Sequence, residues 1–119
     1  MKTGYFGRLP AFTLGALKLQ PFAGEKLMIA YVDAPAASVA PKHSHSHEQM
    51  SLVLEGRIRC QVGAEEQEIG PGGVVLFPSN AEHEVHFLER TVMIDIFHPV
   101  RDDFQSKLAT EMPEKHGEK

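Results

Sequence analysis

Three of the seven histidines in this 119-residue chain fall in one tract, His43-Ser44-His45-Ser46-His47-Glu48-Gln49. Alternate residues of a strand point to the same face, which sets His43 and His45 side by side with Cα atoms ~6.5 Å apart. Two imidazoles at that spacing can converge on one ion. A polar cluster beside an apolar strand is costly to bury without a partner, and a metal supplies one. His47 shares the parity of His43 and His45, so it can reach the ion in place of one of them. Otherwise it orients them from outside or is solvated. His83 opens a second alternating run, His83-Glu84-Val85-His86-Phe87, which puts His86 on the opposite face. The plain alternative is a solvated His/Ser loop, since such tracts are compositional hints. His98 and His116 carry no signal.

A second group with chemical potential lies in Thr91–Arg101. Val92, Ile94 and Ile96 make one apolar face, and Met93, Asp95 and Phe97 the other. A strand apolar on both faces is covered on both, by a second sheet or a subunit. A carboxylate buried there needs a charged or hydrogen-bonding partner. Arg101 and Arg8 are candidates for a structural ion pair. A perturbed acid poised for proton transfer fits the residues equally well.

Short strands bounded by Gly, Pro and Asn must position these groups. Lys26–Val32 is a compact apolar run. Met50, Leu52 and Leu54 alternate with Ser51, Val53 and Glu55, and Ile58, Cys60 and Val62 alternate with Arg57, Arg59 and Gln61. This period of two marks strands with one face on a core. Gly56 separates the two runs and predicts a hairpin between them. Gly63-Ala64-Glu65, Pro71-Gly72-Gly73 and Pro78-Ser79-Asn80 are further turns, with Val74–Phe77 a strand between the last two. Such runs at short spacing, with no long helical pattern between them, predict an all-β sandwich or barrel. The single helix expected is Asp102–Glu111, with Asp102 or Asp103 as cap and Phe104 and Leu108 buried. Pro113 ends it, and the charged residues 114–119 read as a frayed tail.

Composition bounds the rest. The length suits one domain. The net charge of −4, with acids and bases mixed along the chain, leaves no basic patch for nucleic acid. No segment approaches the ~20 apolar residues of a membrane span. The first twenty residues lack the apolar run of a signal peptide. Cys60 is the sole cysteine, which fits a reducing compartment, and a cytoplasmic protein is expected.

His43-x-His45-x3-Gln49-x6-Gly56 resembles the first signature motif of the cupins, with Gln49 where Glu is more usual. Gly72-x5-Pro78-x4-His83 resembles the second. The Gly that usually opens the first motif is Ala37 here, and Gly73, Asn80 and Phe87 replace the usual Asp, Gly and Asn of the second. These are backbone positions, and Asn is the easiest non-glycine replacement where a turn needs positive φ. The resemblance implies a single-domain cupin, a double-stranded β-helix or jelly-roll barrel with a short C-terminal helix. Residues 1–25 would be an arm packed on the sheet or on a dimer partner, 26–101 the barrel, and 102–119 the helix and tail.

A narrower likeness covers about Gly15 to Phe104. The His43–Gln49 run together with Asp95-x-Phe97-x-x-x-Arg101 resembles the KdgF-type cupins of pectin and alginate catabolism, which convert 4,5-unsaturated uronate monosaccharides into open-chain ketonised uronates. By position it implies His43, His45, Gln49 and His83 as ligands of one divalent metal ion per chain. It further implies Asp95 as acid–base, Phe97 as pocket wall and Arg101 as substrate clamp. Imidazole-rich ligation suits Zn, Ni, Fe, Mn or Cu. Three neutral imidazoles and an amide leave the metal's full charge uncompensated, a strong Lewis acid for an anionic, oxygen-rich ligand. The expected ligand is a small anionic sugar or small acid, and the expected partner a second copy of the chain, packed through Val92, Ile94 and Ile96 with Leu27 and Ile29 nearby. Two other readings compete: a cupin dioxygenase acting on a polyphenol or small acid, and a non-catalytic binding cupin.

Overall fold

A computed structural model describes residues 1–111 of the protein; Pro113 and the expected tail lie outside the described residues. Strands β1 (Phe12–Leu14), β2 (Leu17–Ala23), β3 (Met28–Ala34), β4 (Val39–His43), β5 (Glu48–Glu55), β6 (Ile58–Val62), β7 (Glu65–Ile69), β8 (Val74–Phe77), β9 (His83–Phe87) and β10 (Thr91–His98) precede helix α1 (Asp102–Glu111). They form two antiparallel sheets. One has the order β1-β2-β3-β10-β5-β8, the other β4-β9-β6-β7. The sheets face each other across the core, the jelly-roll arrangement expected.

Period-two patterning decides which side chains enter. β3 buries Met28, Ala30, Val32 and Ala34 and leaves Ile29, Tyr31 and Asp33 half-exposed. β9 turns His83, Val85 and Phe87 inward. Phe12, Phe77, Phe87 and Phe97 are almost fully buried, each contributing about 1.5–3 kcal/mol of hydrophobic stabilisation. Helix α1 closes one end. Phe104 packs on Phe12 and Phe97, with ring centroids 5.2 and 5.4 Å apart, and Leu108 packs at the margin of the same core.

Three expectations need correction. β5 and β6 do not pair as a hairpin: β5 lies between β10 and β8, and β6 between β9 and β7. Gly56 instead carries the chain from one sheet to the other. Its φ is 91°, and a Cβ there would run into the carbonyl oxygen of Arg90. Second, the apolar parity of β5 points outward. Gln49, Ser51 and Val53 are buried while Met50 and Leu54 are 44% exposed, because this stretch of the interior is lined for a polar site. Third, the sheet begins at Phe12, not at residue 26. β2 pairs with β3 from Lys18↔Asp33 to Ala23↔Met28. The segment before β1 lies over the outer faces of β2 and β3, where Phe6 stacks on Tyr31 at 4.9 Å and the Gly7 amide donates to Gln20 Oε1 at 2.8 Å.

Candidate metal centre

His43 ends β4 and His83 opens β9, and the two are cross-strand partners. His45 sits in the loop that follows, which is pinned to the β8–β9 turn by the Asn80 amide donating to the His45 carbonyl at 2.7 Å. Asn80 takes φ 66° to do so, as its place in the motif foretold. One ring nitrogen from each of His43, His45 and His83 lies within 4.8 Å of the others. Ring centroids are 4.3 Å apart for His43–His83 and 5.0 Å for His45–His83. Phe77 stacks on the His83 ring at 4.4 Å and fixes its plane.

The opposite edges of the rings set their tautomers. His43 Nδ1 meets the Pro41 carbonyl at 2.7 Å, His45 Nδ1 the His47 carbonyl at 3.0 Å, and His83 Nδ1 the Ala81 carbonyl at 3.0 Å. A carbonyl only accepts, so each Nδ1 carries the proton and each Nε2 presents a lone pair. His83 Nε2 is buried with no hydrogen-bond partner. Burial depresses the His83 pKa to about 4, helped by His43, His45 and Arg101 and opposed by the Ala81 carbonyl. Burial and then Arg101 lower that of His45. Neutral imidazoles with converging lone pairs fit a divalent cation.

His47 is not in this cluster. It meets His45 through its backbone carbonyl and through an edge-on ring contact with centroids 5.4 Å apart. His86 lies on the outer face of β9 as expected, half-buried against Glu84 at 2.9 Å.

The six-stranded sheet supplies the other half of the site. Gln49, Ser51 and Asp95 are 7%, 1% and 6% exposed, and register sets Asp95 beside Ser51 and Phe97 beside Gln49. Gln49 Oε1 lies 3.1 Å from His45 Nε2, Gln49 Nε2 donates to Ser51 Oγ at 3.1 Å, and Ser51 Oγ donates to Asp95 Oδ1 at 2.6 Å. Burial raises the Asp95 pKa to about 6, against the Ser51 hydrogen bond and Arg101. Burial and then Asp95 raise that of Cys60 to about 11, so the thiol stays protonated and is a poor ligand. Ser51 was not singled out from the sequence; its parity with Gln49, two residues earlier on the same strand, is the signal that reveals it.

Arg101 departs from expectation. It makes no ion pair with Asp95. Its Nε and Nη2 donate to Asp103 at 2.9 and 2.7 Å, and its guanidinium lies over the Phe104 ring at 4.1 Å and the Phe97 ring at 5.1 Å. Asp103 thus neutralises half of the fork the clamp would use. Arg101, Asp103, Phe97, Asp95, Gln49, His43 and His83 line one cavity of about 440 Å³. Its remaining wall is apolar, with Leu17, Leu19, Val32, Val85, Phe87 and Met93 among its residues.

Residues 30–97 match the family model of the Cupin domain. No curated protein matches the chain significantly. Among solved structures, an RmlC-like cupin from Shewanella frigidimarina superposes with TM-score 0.80 at 24% identity, covering 85% of this chain and 93% of that one. KdgF from Halomonas sp. superposes with TM-score 0.72 at 27% identity, covering 76% and 86%. Oxalate decarboxylase from Bacillus subtilis superposes with TM-score 0.74 at 14% identity, covering 83% of this chain and 30% of that one, a likeness of fold alone. With both signature motifs folded around one histidine cluster, the chain belongs to the cupin family.

Proposed function

We propose that the protein is a metal-dependent cupin enzyme that opens the ring of 4,5-unsaturated uronate monosaccharides and carries the resulting enol to the ketone. The reading is supported by the likeness to KdgF, and the observation that carries it is Asp95. This carboxyl is buried, lines the same cavity as His43 and His83, and titrates near pH 6, where one group can both take and give a proton. Ser51 occupies Oδ1, which leaves Oδ2 for substrate. Asp95 takes the proton of the anomeric hydroxyl as the bond between C1 and the ring oxygen breaks. The electron pair leaves on that oxygen as an enolate, and the proton is returned to C4. The reaction is an isomerisation and needs no oxidant. A cation held by His43, His45, His83 and Gln49 would supply Lewis acidity toward oxygen. Arg101 keeps Nη1 for the substrate carboxylate, its other two nitrogens being held by Asp103. Phe97 is the wall beneath the guanidinium.

The test is the ultraviolet absorbance of the conjugated acid. Metal-loaded protein accelerates its loss; a rate equal to that of buffer with the same metal overturns the reading. The apolar wall of the cavity supports a second reading, a dioxygenase acting on a polyphenol, for which oxygen uptake is the discriminating measurement. In either case the ligand is a small molecule. The partner we infer is a second copy of the chain, seated on the outer face of the six-stranded sheet. There Ile94 pairs with Leu52 and Tyr31, Ile96 with Met50 and Ile29, and Met50 and Leu52 with Leu76 and Val74. This apolar grid is four strands wide, and the N-terminal segment covers only the β2–β3 side of the sheet. An apolar patch of that breadth on one face suits an isologous two-fold contact.

A further inference from the structure

Gln49 is an ambidextrous ligand: its amide has an oxygen that can bind a cation and a nitrogen that cannot, and the two ends have nearly the same shape. Which end meets the histidines is therefore decided by what holds the other. Ser51 holds it. Its hydroxyl has one proton, and that proton goes to Asp95 Oδ1 over 2.6 Å. The lone pairs of Ser51 Oγ face Gln49 and accept only from its amide nitrogen, which stands 3.1 Å away, and the Asp95 carboxylate behind them draws the same nitrogen. Oε1 is left facing His45 Nε2 at 3.1 Å. That nitrogen is itself an acceptor, because Nδ1 on the other side of the ring is bonded to the His47 carbonyl. Two acceptors facing each other in a buried site repel unless a cation lies between them.

From this chain of contacts we infer that Ser51, polarised by Asp95, is the positioning residue that turns the Gln49 oxygen toward the histidines and so gives the centre a neutral oxygen ligand. The inference rests on the reading of His43, His45, His83 and Gln49 as metal ligands. Ser51 touches neither metal nor substrate. It acts through Gln49, as hydrogen-bond partners of metal ligands commonly do, and loss of such a partner costs 10–100-fold in affinity. In Gln49→Glu both ends of the side chain are oxygen, orientation no longer matters, and the hydroxyl has nothing to select.

The experiment is cobalt(II) binding to the purified full chain, read by competition with a chromophoric chelator and by the visible ligand-field spectrum. Ser51→Ala should weaken binding 10–100-fold and alter the spectrum, and the metal-free protein should still melt in one cooperative transition, at a midpoint lowered by the loss of the hydrogen bonds to Gln49 and Asp95. In the Gln49→Glu background the same Ser51→Ala change should alter affinity less than about 3-fold, since only the orienting role is lost there. Wild-type affinity and spectrum in Ser51→Ala overturn the inference while leaving the metal reading intact. Equal losses in the two backgrounds overturn it too, because a general packing role would give them. Wild-type protein that takes up no cobalt brings down the metal reading and this inference with it. Should Ser51→Ala not fold, Ser51→Cys replaces it, a thiol being close in shape and poor as both donor and acceptor.

Discussion

On the four-stranded sheet the outward side chains include three charged pairs. Arg57 meets Glu68 at 2.8 Å, Arg59 meets Glu66 at 3.5 Å and His86 meets Glu84 at 2.9 Å. On the six-stranded sheet the outward side chains of β10, β5 and β8 are Ile94, Ile96, Met50, Leu52, Leu54, Val74 and Leu76, with Glu48 and His98 at one margin. The inner faces differ as well. The first sheet and its loop bring three imidazoles with lone pairs fixed by backbone carbonyls. The second brings an amide, a hydroxyl and a carboxyl joined in one hydrogen-bonded chain. The difference is one of division of labour. The charged sheet and its loop hold the three imidazoles, while Gln49 comes from the other sheet. Under the proposed function the apolar sheet orients and protonates, and its outer face is the one proposed to be covered.

If that division is right, the largest effects belong to Asp95. Asp95→Asn should lower kcat roughly 10²–10⁴-fold, the worth of a positioned acid–base group, and leave metal content unchanged. Its stability effect has a sign that a structural ion pair would not give. The folded-state pKa is about 6 against an ordinary value of 3.8. Between these values the folded chain binds more protons than the unfolded one, so stability falls as pH rises through that window. Metal-free Asp95→Asn should therefore melt above wild type at pH 7–8, by an amount on the order of 3 kcal/mol, with the gain gone below about pH 4. Melting curves of the metal-free proteins at three pH values check this. A loss of stability at pH 7 would make Asp95 a structural partner.

A charge on the apolar sheet comes next. Ile94→Arg places a guanidinium in the middle of the grid and should abolish the dimer, because an unpaired buried charge costs about 3–5 kcal/mol. Light scattering should give twice the chain mass of 13.2 kDa for wild type and a single mass for the variant. The matching change on the other sheet, Arg59→Ala, should leave the mass unaltered and cost under about 1 kcal/mol, the range of exposed ion pairs. Wild type at 13.2 kDa would remove the contrast between the two outer faces.

Metal removal follows. A ligand that binds only the folded state stabilises it by about 2.7 kcal/mol at a hundred times its Kd. A chelator should lower the melting temperature of wild type accordingly and have no effect on His83→Ala. That variant lacks the buried Nε2 whose lone pair is otherwise unmet.

How far these features could be read from residue order depended on how local their causes were. The β6 and β9 faces, the β8 run and helix α1 follow from period, capping acids and turn residues within a few positions. The inversion of β5 did not, because Met50, Leu52 and Leu54 look like a core to any rule that sends apolar residues inward. The interior on that side is a polar site, and the apolar face serves an outer surface. Gly56 reads as a hairpin turn for the same reason: a glycine at positive φ marks a reversal, and only the long-range pairing of β5 with β10 shows that the chain crosses between sheets. β1 and β2 were missed because Gly15 and Pro21 break the alternation. Arg101 carries the clamp role only by its position in the resemblance, and nothing in the sequence signals that Asp103, two residues later, turns back onto it.

The smallest expected effect concerns another of the crossings between the sheets, from β3 to β4. Here Ala37 takes φ 69°, at the motif position where a glycine is usual in the family it resembles. Its amide donates to the Phe87 carbonyl at 2.8 Å, and this bond ties the crossing to the strand that begins with His83. An L-residue in the left-handed region sets Cβ too close to the following carbonyl and costs about 1–2 kcal/mol. Glycine removes that strain but loses more chain entropy on folding, about 0.4–1 kcal/mol relative to alanine. The two terms oppose, and the strain is the larger. Ala37→Gly should thus stabilise the fold by roughly 0.5–1 kcal/mol, with metal affinity unchanged because the Phe87 contact is a backbone bond that glycine keeps. Gly56→Ala at the β5–β6 crossing should go the other way and much further. Its Cβ would meet the Arg90 carbonyl and the Thr91 hydroxyl, so the backbone itself must move. Urea midpoints of the two variants check the pair. A destabilised Ala37→Gly would mean that this crossing, unlike the one at Gly56, is held by chain stiffness more than it is strained by the missing glycine.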